Sequence, residues 1–326
     1  MKMGSPMRKY LISSWMACTG MALLAAGAPA AAQPATGAAD ATAANPVVLP
    51  QTQEIAMRSK AGLDYRIFVY VPATPPPPSG FPIIYVVDGN AWFTPMAHMM
   101  RLMANKLSGI SPAIVVGIGY PSDVPFNQLR RFYDFIPDMP LLEKVPPGYT
   151  PPKIGGGDQF LRFIREELEP DIERRFSVDK AKRTLFGHSL GCSFAFHVLF
   201  SDSGAFQNYV CASPSLHFNG DYILKESERF IKAAASKPVA ATLLYAVAEY
   251  DEKLPPSIPP ELAERMAAEL KRASVVTSGR ALNVRLQKVP GLKTTFLEIM
   301  GENHLSEVPV LINRMLPLVL APDGKP

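Results

Sequence analysis

Short apolar runs that end in turn residues, with helical segments between them, constrain the fold of this chain most. The run at 83–87 ends at Asp88-Gly89, which is typical of a central strand buried on both faces. Similar runs lie at 113–118, 184–186, 208–212, 243–247 and 295–300. Helical spacing is found at 158–175, 261–274 and 306–320. This alternation predicts an α/β fold with a mainly parallel, twisted sheet and helices on both faces; an irregular α+β domain is the alternative.

A pair of alternating segments precedes these runs. Residues 54–59 and 64–72 flank a short turn at 60–63, and apolar and other residues alternate over 65–71. The pattern predicts a half-buried hairpin at an antiparallel edge of the sheet.

The first 32 residues have the pattern of an export signal. Lys2, Arg8 and Lys9 precede a largely apolar stretch at 11–26, and small residues at 30–32 suit cleavage before Gln33. Polar residues interrupt the stretch, so a retained membrane helix is the weaker alternative. We therefore expect a signal peptide at 1–32, export to the periplasm, a flexible linker at 33–48, and a single folded domain at 49–322 without a stable membrane anchor.

Charge and cysteine content exclude several classes of function. Three of the 33 basic residues lie in 1–32 with none of the 29 acidic ones, which leaves the remainder with a net charge of +1. No concentrated basic face indicates a nucleic-acid partner. Cys192 and Cys211 lie in apolar segments, which favours buried free thiols over a disulfide, and no metal-ligand spacing is present. We expect no cofactor and no metal, and the sequence leaves the oligomeric state open.

A serine between two glycines is the strongest chemical signal. Gly187-His188-Ser189-Leu190-Gly191 has the G-x-S-x-G pattern, with a strand run before it and a helical run after it. A nucleophile at such a turn needs small residues on both sides, because strand and helix pass closely. The alternative is a chance match in a glycine-containing chain, so partners must be found for Ser189.

A serine hydroxyl needs a base to become a nucleophile. His304 follows the last strand run and precedes the last helix, which suits the order serine, acid, histidine. His188, inside the elbow, is expected to point elsewhere, and His197 to pack on the helix. His217 is expected to line the pocket.

The acid that orients the histidine is expected after the strand at 243–247. Asp251 is the first choice and Glu249 the second, since both lie between Ser189 and His304 in the chain. For the oxyanion we expect one N–H donor from Leu190 and another from Gly89 or Asn90, at the end of the strand at 83–87.

At these residues the chain resembles the esterase family of α/β-hydrolases that includes siderophore esterases and feruloyl esterase-like proteins. The resemblance runs from about residue 54 to 318, and its landmarks are the segments 85–90, 130–137, 155–161, 187–191, 212–216 and 301–304. It implies an α/β-hydrolase fold and catalytic roles for Ser189 and His304, and it is looser at the acid. Family members include periplasmic enzymes that open siderophore trilactones, thioester hydrolases and acyltransferases.

Several residues are candidates for binding substrate. Arg130 and Arg131 are predicted to hold an anionic ligand, with salt-bridged structural arginines as the alternative. Trp92 is expected to line an aromatic pocket, together with Phe93, Tyr120 and Tyr133, with core aromatics as the alternative. The segment 137–152 contains six prolines and suggests a stiff flap over the site, or else a passive loop.

These features together predict an exported serine hydrolase. The substrate is expected to be a small-molecule carboxylic ester or lactone, cleaved through an acyl-enzyme, with a siderophore as one candidate. Two alternatives stay open: an acyltransferase on the same scaffold, and a non-catalytic protein that captures a ligand.

Overall fold

In the part of the chain that the structure describes, the strands form one eight-stranded sheet. The computed structural model describes residues 47–105, 107–143 and 150–321. The strands are β1 (Thr52–Arg58), β2 (Asp64–Tyr70), β3 (Phe81–Val87), β4 (Ile114–Gly119), β5 (Val178–His188), β6 (Asn208–Ala212), β7 (Ala241–Ala248) and β8 (Leu292–Ile299). Their order is β1-β2-β4-β3-β5-β6-β7-β8. β2 is antiparallel to both of its neighbours, and all the other pairs are parallel.

Helices cover both faces of this sheet. They are α1 (Gly89–Met103), α2 (Gln128–Phe135), α3 (Gly157–Phe163), α4 (Glu169–Arg175), α5 (Leu190–Ser201), α6 (Phe218–Ala234), α7 (Pro260–Ala273), α8 (Val275–Leu286) and α9 (Glu307–Val319). A π-helical turn, Ile164–Leu168, joins α3 to α4. Apolar side chains of α1 and α9 belong to one core cluster, and those of α2 to α6 and α8 belong to the other. The predicted mainly parallel α/β fold is confirmed, and with it the hairpin at the sheet edge.

Differences from the predicted elements have local causes. β5 begins at Val178, six residues before the predicted run at 184–186. The sequence did not predict these first residues as strand because several of them are charged and most are only partly buried or exposed. Three further helices, α2, α6 and α8, carry no prediction from the sequence. Near the start of α6, Asn219, Gly220 and Asp221 have positive φ. The usual capping patterns do not predict a helix that begins in this way.

Four strand ends meet at one edge of the sheet. Because β3, β5, β7 and β8 are parallel, their carboxyl ends lie on the same side, where open α/β sheets collect functional residues. Across the described ranges no helix is long and apolar enough to span a membrane. The predicted signal peptide at 1–32 and most of the predicted linker at 33–48 lie outside the described residues.

Candidate active site

Ser189 lies in the sharp turn between β5 and α5. Its φ of 56° and ψ of −119° are strained for a residue with a side chain, at a cost on the order of 1–3 kcal/mol. Its own N–H donates to the carbonyl of Ala212 at 2.8 Å. A side chain at Gly187 would put Cβ 2.1 Å from the carbonyl oxygen of Gly191, so the strand and helix pass as closely as the pattern predicts.

His304 and Asp251 are paired at the same edge of the sheet. The Nδ1 of His304 lies 2.8 Å from Oδ1 of Asp251. The other carboxylate oxygen of Asp251 accepts hydrogen bonds from the Ser213 hydroxyl and from the Ala248 N–H. Burial raises the pKa of Asp251, but the His304 ring and these donors outweigh burial and hold the pKa below its usual value. Asp251 is therefore a buried carboxylate that can orient and stabilise a protonated His304.

Glu249, the alternative acid, has a different position. Its carboxylate accepts the Gly301 N–H at 2.8 Å and binds Lys253 at 2.9 Å, and the Gly301 bond is the main cause of its lowered pKa. Glu249 thus supports the loop that leads to His304, while Asp251 contacts the imidazole itself.

His188, which precedes Ser189 in the chain, links the serine turn to the loop that carries His304. The His188 and His304 ring centroids are 4.7 Å apart, and His188 Nε2 lies 2.6 Å from the His304 carbonyl oxygen. Within the described ranges no hydrogen bond joins the Ser189 hydroxyl to the His304 ring. Catalytic hydrogen bonds are often long in free enzymes and tighten when substrate binds.

Helix starts with free backbone N–H groups follow two neighbouring parallel strands, β3 and β5. Leu190, Gly89 and Asn90 lie in the first turns of their helices, where N–H groups have no partner within the helix, and in the described parts of the chain none of them donates to a turn or loop carbonyl. A Cβ at Gly191 would lie 2.9 Å from the Val87 side chain, so the two helix starts are close. This arrangement suits an oxyanion, because free donors of helix N-termini attract negative charge.

Gly89 and Asn90 are also fixed by packing. A Cβ at Gly89 would lie 2.7 Å from the backbone of Gly117, so glycine is needed for contact with β4. The residue of positive φ is Asp88, one position earlier. The Asn90 side chain accepts the Tyr120 N–H at 2.7 Å and donates to the Ser122 carbonyl at 2.7 Å, which ties α1 to the loop after β4.

The two arginines predicted to hold an anion have partners inside the protein. Arg131 is 4% exposed, and its Nε lies 2.7 Å from the buried carboxylate of Asp88. Arg130 binds Asp134 at 3.2 Å and lies over the ring of Tyr65. Burial raises the pKa of Asp134 to about 6 despite Arg130. The structural alternative therefore describes these arginines better than anion capture does.

Trp92 and His217 are likewise engaged within the chain. Trp92 is 8% exposed and packs edge-on against His188, with ring centroids 5.2 Å apart. His217 contacts Asp221 through Nδ1 and Ser278 through Nε2, both at 2.7 Å. Both ring nitrogens of His217 are thus occupied, and Trp92 is buried with its indole N–H unpaired in the described chain, so neither side chain is exposed as a substrate-binding group.

The start of the proline-rich segment is attached to the beginning of α6. Asn219 accepts the Leu142 N–H at 2.6 Å and donates to the Pro140 carbonyl at 3.0 Å, and its own N–H donates to Glu143 at 2.8 Å. Residues 144–149 of the predicted flap lie outside the described residues. The part up to Glu143 is held in place by this contact.

Sequence reasoning missed two residues at the site. His188 was expected to point away from the serine hydroxyl, and in the described chain it makes no hydrogen bond to that hydroxyl, but the sequence did not reveal its contact with the His304 carbonyl. Ser213 carried no prediction, although its φ of 41° and its hydroxyl place it against Asp251. Its position directly after β6, at the edge that holds the other site residues, was the available signal. Cys192 and Cys211 are buried and free, as predicted.

The sheet order, the serine turn after β5, the acid after β7 and the histidine after β8 define an α/β-hydrolase. A family model described as "Putative esterase" matches residues 59–276. The chain belongs to this esterase family, which makes it an ester hydrolase, and the predicted resemblance is confirmed.

Named relatives extend this comparison. The chain is 35% identical over 286 residues to the ferri-bacillibactin esterase BesA of Bacillus subtilis, covering 86% of this chain and 93% of the relative. It is 32% identical to a siderophore triacetylfusarinine C esterase of Aspergillus fumigatus, covering 83% and 94%. Among solved structures, the BES protein from Bacillus cereus matches with a TM-score of 0.75 and 35% identity, covering 85% of this chain and 98% of that one.

Proposed function

We propose that this protein is a serine hydrolase of the periplasm that opens the ester or lactone bonds of a siderophore. The relatives named above as siderophore esterases support the substrate class, and the pattern at 1–32 supports export. The observation that carries the serine mechanism is the meeting of three chain segments. Ser189 at its strained turn lies beside the loop of His304, whose ring is paired with buried Asp251.

The first half of the reaction forms an acyl-enzyme. Ser189 Oγ attacks the ester carbonyl while His304 Nε2 takes the hydroxyl proton. Asp251 holds the Nδ1–H of His304 and stabilises the imidazolium. The N–H groups of Leu190 and of Gly89 or Asn90 donate to the oxyanion. When the tetrahedral intermediate collapses, His304 returns the proton to the leaving alcohol.

The second half releases the acid. Water takes the place of the alcohol, and His304 removes one of its protons as it attacks the acyl carbon. Collapse breaks the bond to Ser189 Oγ, which regains its proton from His304. The same geometry accepts an alcohol or amine instead of water, so acyl transfer is separated from hydrolysis only by its products.

Ser189→Ala tests the nucleophile. We expect loss of hydrolysis of a short acyl ester and loss of labelling by a fluorophosphonate probe, with an unchanged melting temperature. A panel of iron-free and iron-loaded trilactones, feruloyl esters and simple acyl esters, with and without acceptor alcohols, tests the substrate. Retained turnover by the alanine variant would refute the serine mechanism, and an unlabelled wild-type protein would favour a ligand-capturing protein instead.

A further inference from the structure

His304 is held at two points, and only one of them is the acid. Nδ1 faces Asp251, while the backbone carbonyl oxygen lies 2.6 Å from Nε2 of His188. His188 is the last residue of β5 and is paired with Ala212 of β6. It is 2% exposed. The bond therefore ties the loop that carries His304 to the strand end that also carries Ser189.

The contact fixes the protonation of His188. A carbonyl oxygen only accepts hydrogen bonds, so Nε2 must carry the proton. Nδ1 is buried and has no partner in the described ranges, so a proton there would be an unsatisfied donor. Burial, followed by the nearby His304 and Arg131, holds the pKa of His188 well below its usual value. His188 is a neutral donor.

A neutral donor suits this position better than a charged one. His304 becomes a cation during each half of the proposed reaction, and its ring centroid is 4.7 Å from that of His188. A second cation at that distance would oppose proton uptake, because like charges disfavour each other's ionisation. The indole of Trp92 packs edge-on against the His188 ring, with centroids 5.2 Å apart.

We infer that His188 is a positioning residue whose Nε2–H holds the His304 carbonyl and so keeps the imidazole in line between Ser189 and Asp251. This inference rests on the proposed serine mechanism. It gives a purpose to the residue between Gly187 and the nucleophile, which the mechanism itself does not use.

His197 provides a matched control in the same strand-turn-helix unit. It is 5% exposed, and its ring nitrogens lie 3.0 Å from Glu226 and 3.1 Å from Asp158. Burial disfavours its charge, but the two carboxylates outweigh burial and raise the pKa of His197 above its usual value. It joins α5 to α3 and α6 and makes no hydrogen bond to the His304 loop in the described chain.

The experiment compares His188→Gln with His188→Met, and His197→Gln with His197→Met. Glutamine and methionine are alike in length, but only glutamine has a terminal N–H donor. For each purified variant, kcat and KM on a short acyl ester, the rate of fluorophosphonate labelling and the melting temperature are measured. If methionine at position 188 prevents folding, His188→Asn replaces it. The asparagine amide is one carbon shorter than that of glutamine and does not reach the His304 carbonyl, so the same loss is expected as for methionine.

We expect His188→Met to lower kcat and the labelling rate by about 10- to 100-fold with little change in KM, because a lost hydrogen bond that leaves a partly buried acceptor unpaired is of that size. His188→Gln should restore most of both rates. Both His197 variants should lower the melting temperature and leave kcat near that of the wild type.

Two results would overturn the inference: a wild-type kcat in His188→Met, or equal losses in the glutamine and methionine variants. Failure of the proposed function has a different signature, since the wild-type protein itself would then show neither labelling nor turnover.

Discussion

Two buried carboxyl groups, those of Asp251 and Glu307, interact electrostatically but differ in their hydrogen-bond partners. Asp251 has the imidazole on one oxygen and two hydrogen-bond donors on the other. Glu307, at the start of α9, is 0% exposed, and neither of its oxygens has a hydrogen-bond partner in the described chain. The two groups have nearly the same intrinsic acidity, so the difference between them comes from the partners that the fold supplies.

The difference appears in the direction of the pKa shifts. The pKa of Asp251 is lowered, whereas burial and the nearby Asp251 charge raise the pKa of Glu307 well above its usual value, against a smaller opposing effect of the Ser213 hydroxyl. Hydrogen-bond donors thus favour the charged form of a buried acid, and burial without donors disfavours it. Of the two acids, the one whose charged form is favoured is therefore Asp251, which contacts the His304 ring.

The largest expected effect is that of Asp251→Asn. Asparagine is close in shape but can present an N–H to His304 Nδ1, which favours the wrong tautomer of the imidazole. We expect kcat on a short acyl ester to fall by about 10³- to 10⁴-fold with KM nearly unchanged. Steady-state kinetics on the purified variant measure it, and a loss below tenfold would show that another group orients His304.

Removal of the Ser213 hydroxyl should have a smaller effect. Ser213→Ala deletes a donor to the Asp251 carboxylate, and a hydrogen bond to a charged group is worth about 1.5–3 kcal/mol, so kcat should fall roughly 10- to 100-fold. Because Ser213 has a φ of 41°, Ser213→Gly serves as the control for backbone strain. If glycine restores activity that alanine loses, strain and not the hydroxyl is responsible.

Glu307→Gln should change the pH dependence of stability. A carboxyl whose pKa is raised in the folded state binds more protons there than in the unfolded chain. Its contribution to stability is present below the unfolded pKa, about 4.3, and is lost at about 1.4 kcal/mol per pH unit as pH rises toward the folded pKa. Chemical denaturation between pH 5 and 8 should show a flatter profile for the glutamine variant. Parallel profiles would mean that Glu307 is ionised in the folded protein.

Glu249→Gln should have the smallest effect. The glutamine carbonyl can still accept the Gly301 N–H, and the lost pairing with Lys253 is largely exposed and worth little. We expect less than about a threefold change in kcat. A loss comparable to that of Asp251→Asn would contradict the distinction between the two acids that the structure makes.

Much of the fold and of the site geometry was predictable because the signals are local. The apolar runs at 83–87 and 208–212 correspond to β3 and β6, since strands buried on both faces leave continuous apolar sequence. The order of Ser189, Asp251 and His304 along the chain follows from the order of parallel strands. The strand order does not decide between Asp251 and Glu249, because two acids in one turn differ only in their side-chain direction.

What the sequence did not reveal depends on contacts between distant segments. His188 and His304 are 116 positions apart, and the bond between a ring and a backbone carbonyl leaves no pattern of spacing. The sequence does not show that Arg131, in α2, is paired with Asp88, which follows β3. The start of α6 was hidden because its left-handed residues obey no capping rule.

That left-handed start also links two parts of the chain in their folding. Asn219 has a φ of 50° and uses its side chain and its N–H on Pro140, Leu142 and Glu143. Residues 140–143 thus support the left-handed backbone of Asn219, and Asn219 in turn holds residues 140–143. The two segments depend on each other for their conformation.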